Sequence, residues 1–136
     1  MCPETKRRRF TGGFDMIYLA CPYSHENDGV RELRYEAIMI IASLLIAKGE
    51  MVISPITHSH PIAKCGKLPT EWEYWKEFDR KLISMCDYVD VVMFKGWEES
   101  TGIKSEIMIA KELVKSVRYR DGNGELVKYA EIGRKG

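Results

Sequence analysis

The segment SMCDYVDVVMFKGWEESTGIKSEIMIA, residues 84–110, decides how the rest of the chain is read. It leaves one helical pattern, passes through an apolar run at 89–94, breaks at Lys95-Gly96-Trp97, and enters a second helical pattern after Ser100. A short apolar run between two helices reads as a strand buried on both faces, the kind found in parallel sheets. Upstream, Met16–Ala20 (MIYLA), closed by Cys21-Pro22, is a strand of the same type. Residues 27–48 predict a helix capped by Asn27 or Asp28 and stopped by Gly49. Residues 51–54 predict a second short strand and residues 56–69 a loop. Residues 70–86 predict a second helix, with Thr70 and Glu73 as a capping box. Downstream, the helix after Ser100 runs to near Lys115, and residues 117–120 form a fourth strand. Asp121-Gly122-Asn123-Gly124 is a turn, after which residues 126–130 are expected to pair back or add a last strand.

Apolar strands alternating with helices imply an α/β fold, a three-layer flavodoxin- or Rossmann-like domain with a parallel sheet of about five strands flanked by helices. Ligands of such sheets bind beyond the C-terminal strand ends, where the strand order reverses, so residues 21–25, 55–60 and 95–100 draw attention first. The chain has 136 residues, 45% hydrophobic and 30% charged, enough to bury a core as one globular domain without metal or disulfide support. A formal net charge of +1 favours neither nucleic acid nor an anionic membrane. No apolar stretch is long enough to span a bilayer. Four scattered cysteines with no C-x-x-C pair read as reduced thiols, which points to a cytoplasmic protein. Residues 1–15 carry the basic run Lys6-Arg7-Arg8-Arg9 and Gly12-Gly13 and are expected to be a flexible arm, with the domain occupying 16–132.

Two carboxylates fall on faces that should be apolar. Trp72, Trp75, Leu82, Ile83 and Cys86 form the stripe of the second helix, and Asp79 lies within it. Glu106 falls between Ile103 and Ala110 on the next helix. A buried carboxylate is costly unless hydrogen-bonded or paired, so either both sit at the edges of their stripes or both point into one cleft. In a cleft, such a pair suits nucleophilic and acid–base chemistry of the glycosidase kind. Asp90 interrupts the third strand with no partner evident from its neighbours in sequence. Ser100-Thr101-Gly102 is a good N-cap and also an anion-binding turn. His58 and His60 alternate in THSHP without a supporting Asp, Glu or Cys. No metal site is therefore expected there, and hydrogen bonding to a ligand or loop packing remain.

With these residues in hand, the sequence resembles the nucleoside 2-deoxyribosyltransferase-like superfamily, and within it most closely the DUF1937 family. The resemblance rests on IYLACPYS (17–24), SPITHSHPI (54–62), FDRKLISMCDYVDVVM (78–93) and STGIKSE (100–106). The last is similar to the S-x-G-x-x-x-E signature that contains the family nucleophile. It implies that Glu106 attacks C1' of a sugar, that Asp79 handles the proton of the leaving base and that Tyr18 orients the nucleophile. Ser100 stands where the 2'-deoxynucleoside 5'-phosphate N-hydrolases have a phosphate-binding serine. Those hydrolases also place an arginine soon after the first strand; here the loop is Pro22-Tyr23-Ser24-His25, so His25 or Arg31 would have to take its place. Cys21, Pro22, Tyr23, His25, His58, His60, Trp97 and Gly102 complete the expected substrate-binding set.

The resemblance thus implies cleavage or exchange of the N-glycosidic bond of a nucleoside or nucleoside 5'-monophosphate through a covalent glycosyl-enzyme. It implies no cofactor, a small-molecule partner and a homodimer or larger homo-oligomer. The alternatives are a glycohydrolase of an NAD- or ADP-ribose-type nucleotide, and a non-catalytic nucleotide sensor that keeps the pocket.

Overall fold

The computed structural model describes residues 14–128. In chain order these form β1 (Met16–Ala20), α1 (Asp28–Ala47), β2 (Met51–Ile53), α2 (Pro55–Gly66), α3 (Trp72–Ser84), β3 (Tyr88–Val92), α4 (Thr101–Glu112) and β4 (Ser116–Arg120). The strands lie in the order β2-β1-β3-β4, and every pairing is parallel. The chain therefore leaves β1 toward one edge and returns on the other side of it, so the order reverses between β1 and β3. That reversal is the doubly wound arrangement, and it opens a crevice at the C-terminal ends of these two strands.

The period of two along each strand feeds two separate cores. Tyr18, Ala20, Val89 and Val91 pack with Ile83, Cys86, Ile103 and Ala110, beneath α3 and α4. Ile17, Leu19, Cys21 and Val92 pack with Ile38, Ile41 and Leu45 of α1 on the other face. The result is a sheet flanked by helices on both faces. A core side chain such as Ile38, fully buried, contributes about 1.5–3 kcal/mol, and cutting it to Ala costs about 2–5 kcal/mol. Local signals set the element ends. The Asn27 side chain accepts hydrogen bonds from the backbone N–H groups of Gly29 and Val30 at the start of α1, and Gly49, at φ 96°, turns the chain out of it.

Three expectations need correction. The described sheet has four strands, not about five. The Asp121–Gly124 turn forms as read, with Asp121 Oδ1 accepting from the backbone of Asn123 and Glu125. It then folds against α1, so close that a Cβ on Gly124 would sit 3.3 Å from Ile41, and Leu126 meets Arg120 in one antiparallel bridge only. Second, residues 56–69 are not a loop, because α2 occupies most of them. Ser54 caps this helix by accepting from Thr57 N (3.2 Å) and Pro55 fills its first turn, a start signal that Pro61 and the weak apolar period obscure. Third, the Thr70 capping box does not form: α3 starts at Trp72 without a side-chain cap. The Trp75 indole N–H instead donates to the Pro69 carbonyl (2.8 Å) and ties down the entry to the helix. Residues 1–13 of the expected basic arm, and the end of the expected last strand, lie outside the described residues.

Asp90 now has an account. It is fully buried on β3 and paired in register with Arg118 on β4. Arg118 grips it with two N–H donors (2.8 and 2.9 Å), and Arg120, two residues on, adds a third (2.8 Å). Arg120 also donates to the Gly124 carbonyl (2.7 Å), so the ion cluster fastens β4 and the turn to the middle of the sheet.

Candidate active site

The crevice between the ends of β1 and β3 opens as a cleft lined by residues of the β1–α1 loop, α2, α3 and α4. Its floor is made by three elements. β1 places Tyr18 on the face beneath α3 and α4, where it is completely buried. α4 turns Glu106 toward the same spot, and the Tyr18 hydroxyl donates to Glu106 Oε2. α3 brings in Asp79, which is 7% exposed against 5% for Glu106. α3 and α4 pack side by side, and Arg80 on α3 pairs with Glu112 on α4 (2.8 Å). Asp79 and Glu106 both line the cleft.

Their electrostatics are unusual for this small a domain. Burial pushes the Glu106 carboxyl up to about 8; the Tyr18 hydrogen bond pulls it back and the neighbouring Asp79 adds to the rise. Burial alone pushes Asp79 up to about 7. Among the described residues no cation pairs with either, and Asp79 Oδ1 is buried without any hydrogen-bond partner. Burial, and then the Glu106 charge, push the Tyr18 phenol well above its ordinary value, so it stays a donor. Two buried carboxyls near each other and without a cation resist ionising together. Tyr18 donates to Glu106 and favours charge there, the one interaction in the site that opposes the effect of burial. Two carboxyls so placed are of the kind that can serve a substrate on which positive charge develops.

Residues 15–121 match the family model described as "Domain of unknown function (DUF1937)". The chain belongs to the DUF1937 family. No curated protein matches its sequence. Among solved structures it is similar to the "2-desoxiribosyltransferase from Leishmania mexicana", with a TM-score of 0.50 and 18% sequence identity. The alignment covers 79% of this chain, which spans 64% of the length of that one. This likeness is one of fold: the DUF1937 domain shares the architecture of that structure.

Around the carboxyl pair, the DUF1937 domain gathers much of the expected set. Cys21, Tyr23, His60, Ser100 and Gly102 line the same cleft, while Pro22 and His25 line a broader outer cavity that shares Ser24, Glu71, Trp72, Ser100 and Gly102 with it. Burial, and then the charge of Glu106, raise the Cys21 thiol far above its ordinary value, so it is no nucleophile. Ser100 Oγ accepts from Ile103 N (3.2 Å) as the cap of α4 and keeps its own O–H to donate. Two residues fall elsewhere. His58 is exposed and stacks on Phe78 (5.1 Å between centroids), and Trp97 packs on Tyr119 at the edge of the core.

The sequence reading missed others. Ser59, inside the 55–60 stretch but not among the expected site residues, lines the cleft from α2. Arg31 turns back to pair with Asp28, whereas Arg34 holds the carbonyls of Tyr23 (3.3 Å) and Ser24 (3.0 Å) and lines the outer cavity. Its place one helical turn after Arg31, on the face toward the loop, was the available signal. Trp72 and Trp75, on the apolar stripe of the second helix and open to either core packing or stacking on a base, are half-buried and line the cleft.

Proposed function

We propose that this DUF1937 domain cleaves or exchanges the N-glycosidic bond of a nucleoside or nucleoside 5'-monophosphate, with Glu106 as nucleophile. One observation carries the reading: a buried carboxyl held by a buried phenol faces the same cleft as a second carboxyl that has no cation and an unpartnered oxygen. In the first step Glu106 attacks C1' as the bond from C1' to the base nitrogen breaks. The bonding electron pair leaves with the base, which takes the Asp79 proton. Positive charge at C1' is offset by the Glu106 carboxylate, which closes to a glycosyl ester, while the O–H of Tyr18 keeps the attacking oxygen in place. In the second step water, giving hydrolysis, or an incoming base, giving exchange, attacks C1' as the ester bond from C1' to Glu106 breaks. The electron pair of that bond returns to the Glu106 carboxylate, while Asp79, now a carboxylate, accepts the proton of the attacking group. Ser100 and the free N–H groups that open α4 suit the 5' end of the substrate, where a hydroxyl or a phosphate would bind.

The test incubates the protein with ribo- and deoxyribonucleosides and their 5'-monophosphates, with and without a second free base, and follows base release by chromatography. Release that disappears in Glu106→Ala supports the reading. Exchange that requires a second base identifies a transferase, and release without one a hydrolase. Absence of turnover on the whole panel contradicts the proposal.

A further inference from the structure

Along one wall of the cleft runs a chain of three polar side chains that the proposed chemistry leaves unused. The Tyr23 hydroxyl lies 2.7 Å from His60 Nδ1, and His60 Nε2 lies 2.9 Å from Glu32 Oε1. His60 is 9% exposed and stacks flat on Tyr35, with centroids 4.3 Å apart. A carboxylate only accepts, so Nε2 carries a hydrogen toward Glu32. In the neutral imidazole Nδ1 is then bare and accepts from Tyr23. The Tyr23 O–H is thereby committed to His60, and its oxygen can offer the cleft only lone pairs. Arg31, which pairs with Asp28, also hydrogen-bonds this phenol and, having only donors, meets its oxygen as an acceptor too.

A second observation points to a ligand at the same wall. Ser59 Oγ, next to His60 on α2, is buried and has no hydrogen-bond partner among the described residues. A buried hydroxyl is rarely left so unless something else completes it. Tyr23, Ser59 and His60 line the inner cleft but not the outer cavity, and they share the inner cleft with Asp79, the proposed donor to the leaving base. The base end of a nucleoside is therefore the part that would face them.

We infer that Tyr23 and Ser59 form the base-reading wall of the cleft, and that His60 and Glu32 lock Tyr23 as an acceptor, so that amino-substituted bases are selected over their oxo counterparts. The inference rests on the nucleoside reading of the cleft. An amino group donates to the Tyr23 oxygen, whereas a carbonyl in its place would set lone pairs against lone pairs and leave both groups unsatisfied. Ser59, whose hydroxyl both donates and accepts, can serve the neighbouring ring atom. His60 and Glu32 act through Tyr23 and are positioning residues.

The experiment measures binding by calorimetry to Glu106→Gln, so that turnover does not intervene, with two matched pairs: the 5'-monophosphates of adenosine and inosine, and those of cytidine and uridine. The amino member of at least one pair is expected to bind about tenfold or more tightly. Tyr23→Phe in the same background is expected to erase that preference. His60→Phe, which keeps the stack on Tyr35 but frees the Tyr23 O–H to donate, is expected to shift it toward the oxo member. Equal binding within both pairs, or a preference that survives Tyr23→Phe, overturns the inference, as does failure of all four nucleotides to bind. If His60→Phe does not fold, the Tyr23→Phe comparison decides alone. Selective binding without base release by the unmodified protein would overturn the proposed reaction and leave this inference standing.

Discussion

Buried carboxyls sit on both faces of one four-stranded sheet, and the two faces treat them differently. On the α1 face, Asp90 is fully buried and receives three guanidinium N–H donors from Arg118 and Arg120. On the α3–α4 face, Glu106 and Asp79 are nearly as buried, receive one phenol hydrogen bond between them and have no cation among the described residues. Asp90 is tied from β3 to β4 and is not part of the lining of the cleft that the other two share. Folding thus leaves a desolvation cost on one face that it has cancelled on the other. An uncompensated charge of this kind is what a substrate with developing opposite charge can exploit.

The largest expected effect separates the two clusters by activity. Glu106→Ala should abolish base release, while Asp79→Asn, which loses only the proton donor, should lower the rate by about 10²–10⁴-fold. Single-turnover rates on the best substrate of the panel measure both. If Asp79→Asn proves as severe as Glu106→Ala, the division of labour between the two carboxyls is wrong.

Next in size is the loss of stability on the opposite face. Asp90→Ala leaves Arg118 without its carboxylate and Arg120 with only the half-exposed Glu50 (3.4 Å), and should cost about 3–5 kcal/mol in urea unfolding. Glu106→Gln should cost far less, since its amide carbonyl still accepts from Tyr18. Similar losses for the two variants would erase the distinction between a structural and a functional buried carboxyl.

Tyr18→Phe should slow turnover more mildly, by about tenfold, because one neutral hydrogen bond to Glu106 is lost and the carboxyl is retained. The same variant should shift the acidic limb of the rate profile upward, since the Tyr18 hydrogen bond holds the Glu106 pKa down.

The smallest effect concerns pH and stability. Folding raises Glu106 from its ordinary value to about 8 and Asp79 to about 7, so between about pH 4 and pH 8 the folded state holds protons that the unfolded chain has released. Stability contributed by these groups is complete below pH 4 and is lost as pH rises through the folded values. Glu106→Gln, which cannot ionise, should therefore melt at a higher temperature than the unmodified protein at pH 9, with the gap closing toward pH 5. A gap of the opposite sign would show that the site stabilises the carboxylate form.

How far this was legible in the sequence follows the same physics. Four strands, three of the helices and both anomalous carboxylates were visible because period and composition are local. Asp90 was not explicable, since its partners lie about thirty residues downstream and meet it only through the parallel register of β3 and β4. α2 was missed because Pro61 and two histidines mask a weak apolar stripe, and with it went Ser59 and the burial of His60. The phenol that grips Glu106 comes from 88 residues away and could be named only through the resemblance to a family.

The most direct test of the central claim is to look for the glycosyl ester on Glu106. A 2'-fluorinated nucleoside 5'-monophosphate, whose fluorine slows the second step, is incubated with the protein and the intact mass is recorded, followed by peptide mapping. The account predicts a mass gain of one fluorosugar phosphate on the peptide carrying Glu106, accompanied by one equivalent of released base and absent from Glu106→Ala. Base release with no adduct, or an adduct on a different residue, would contradict it.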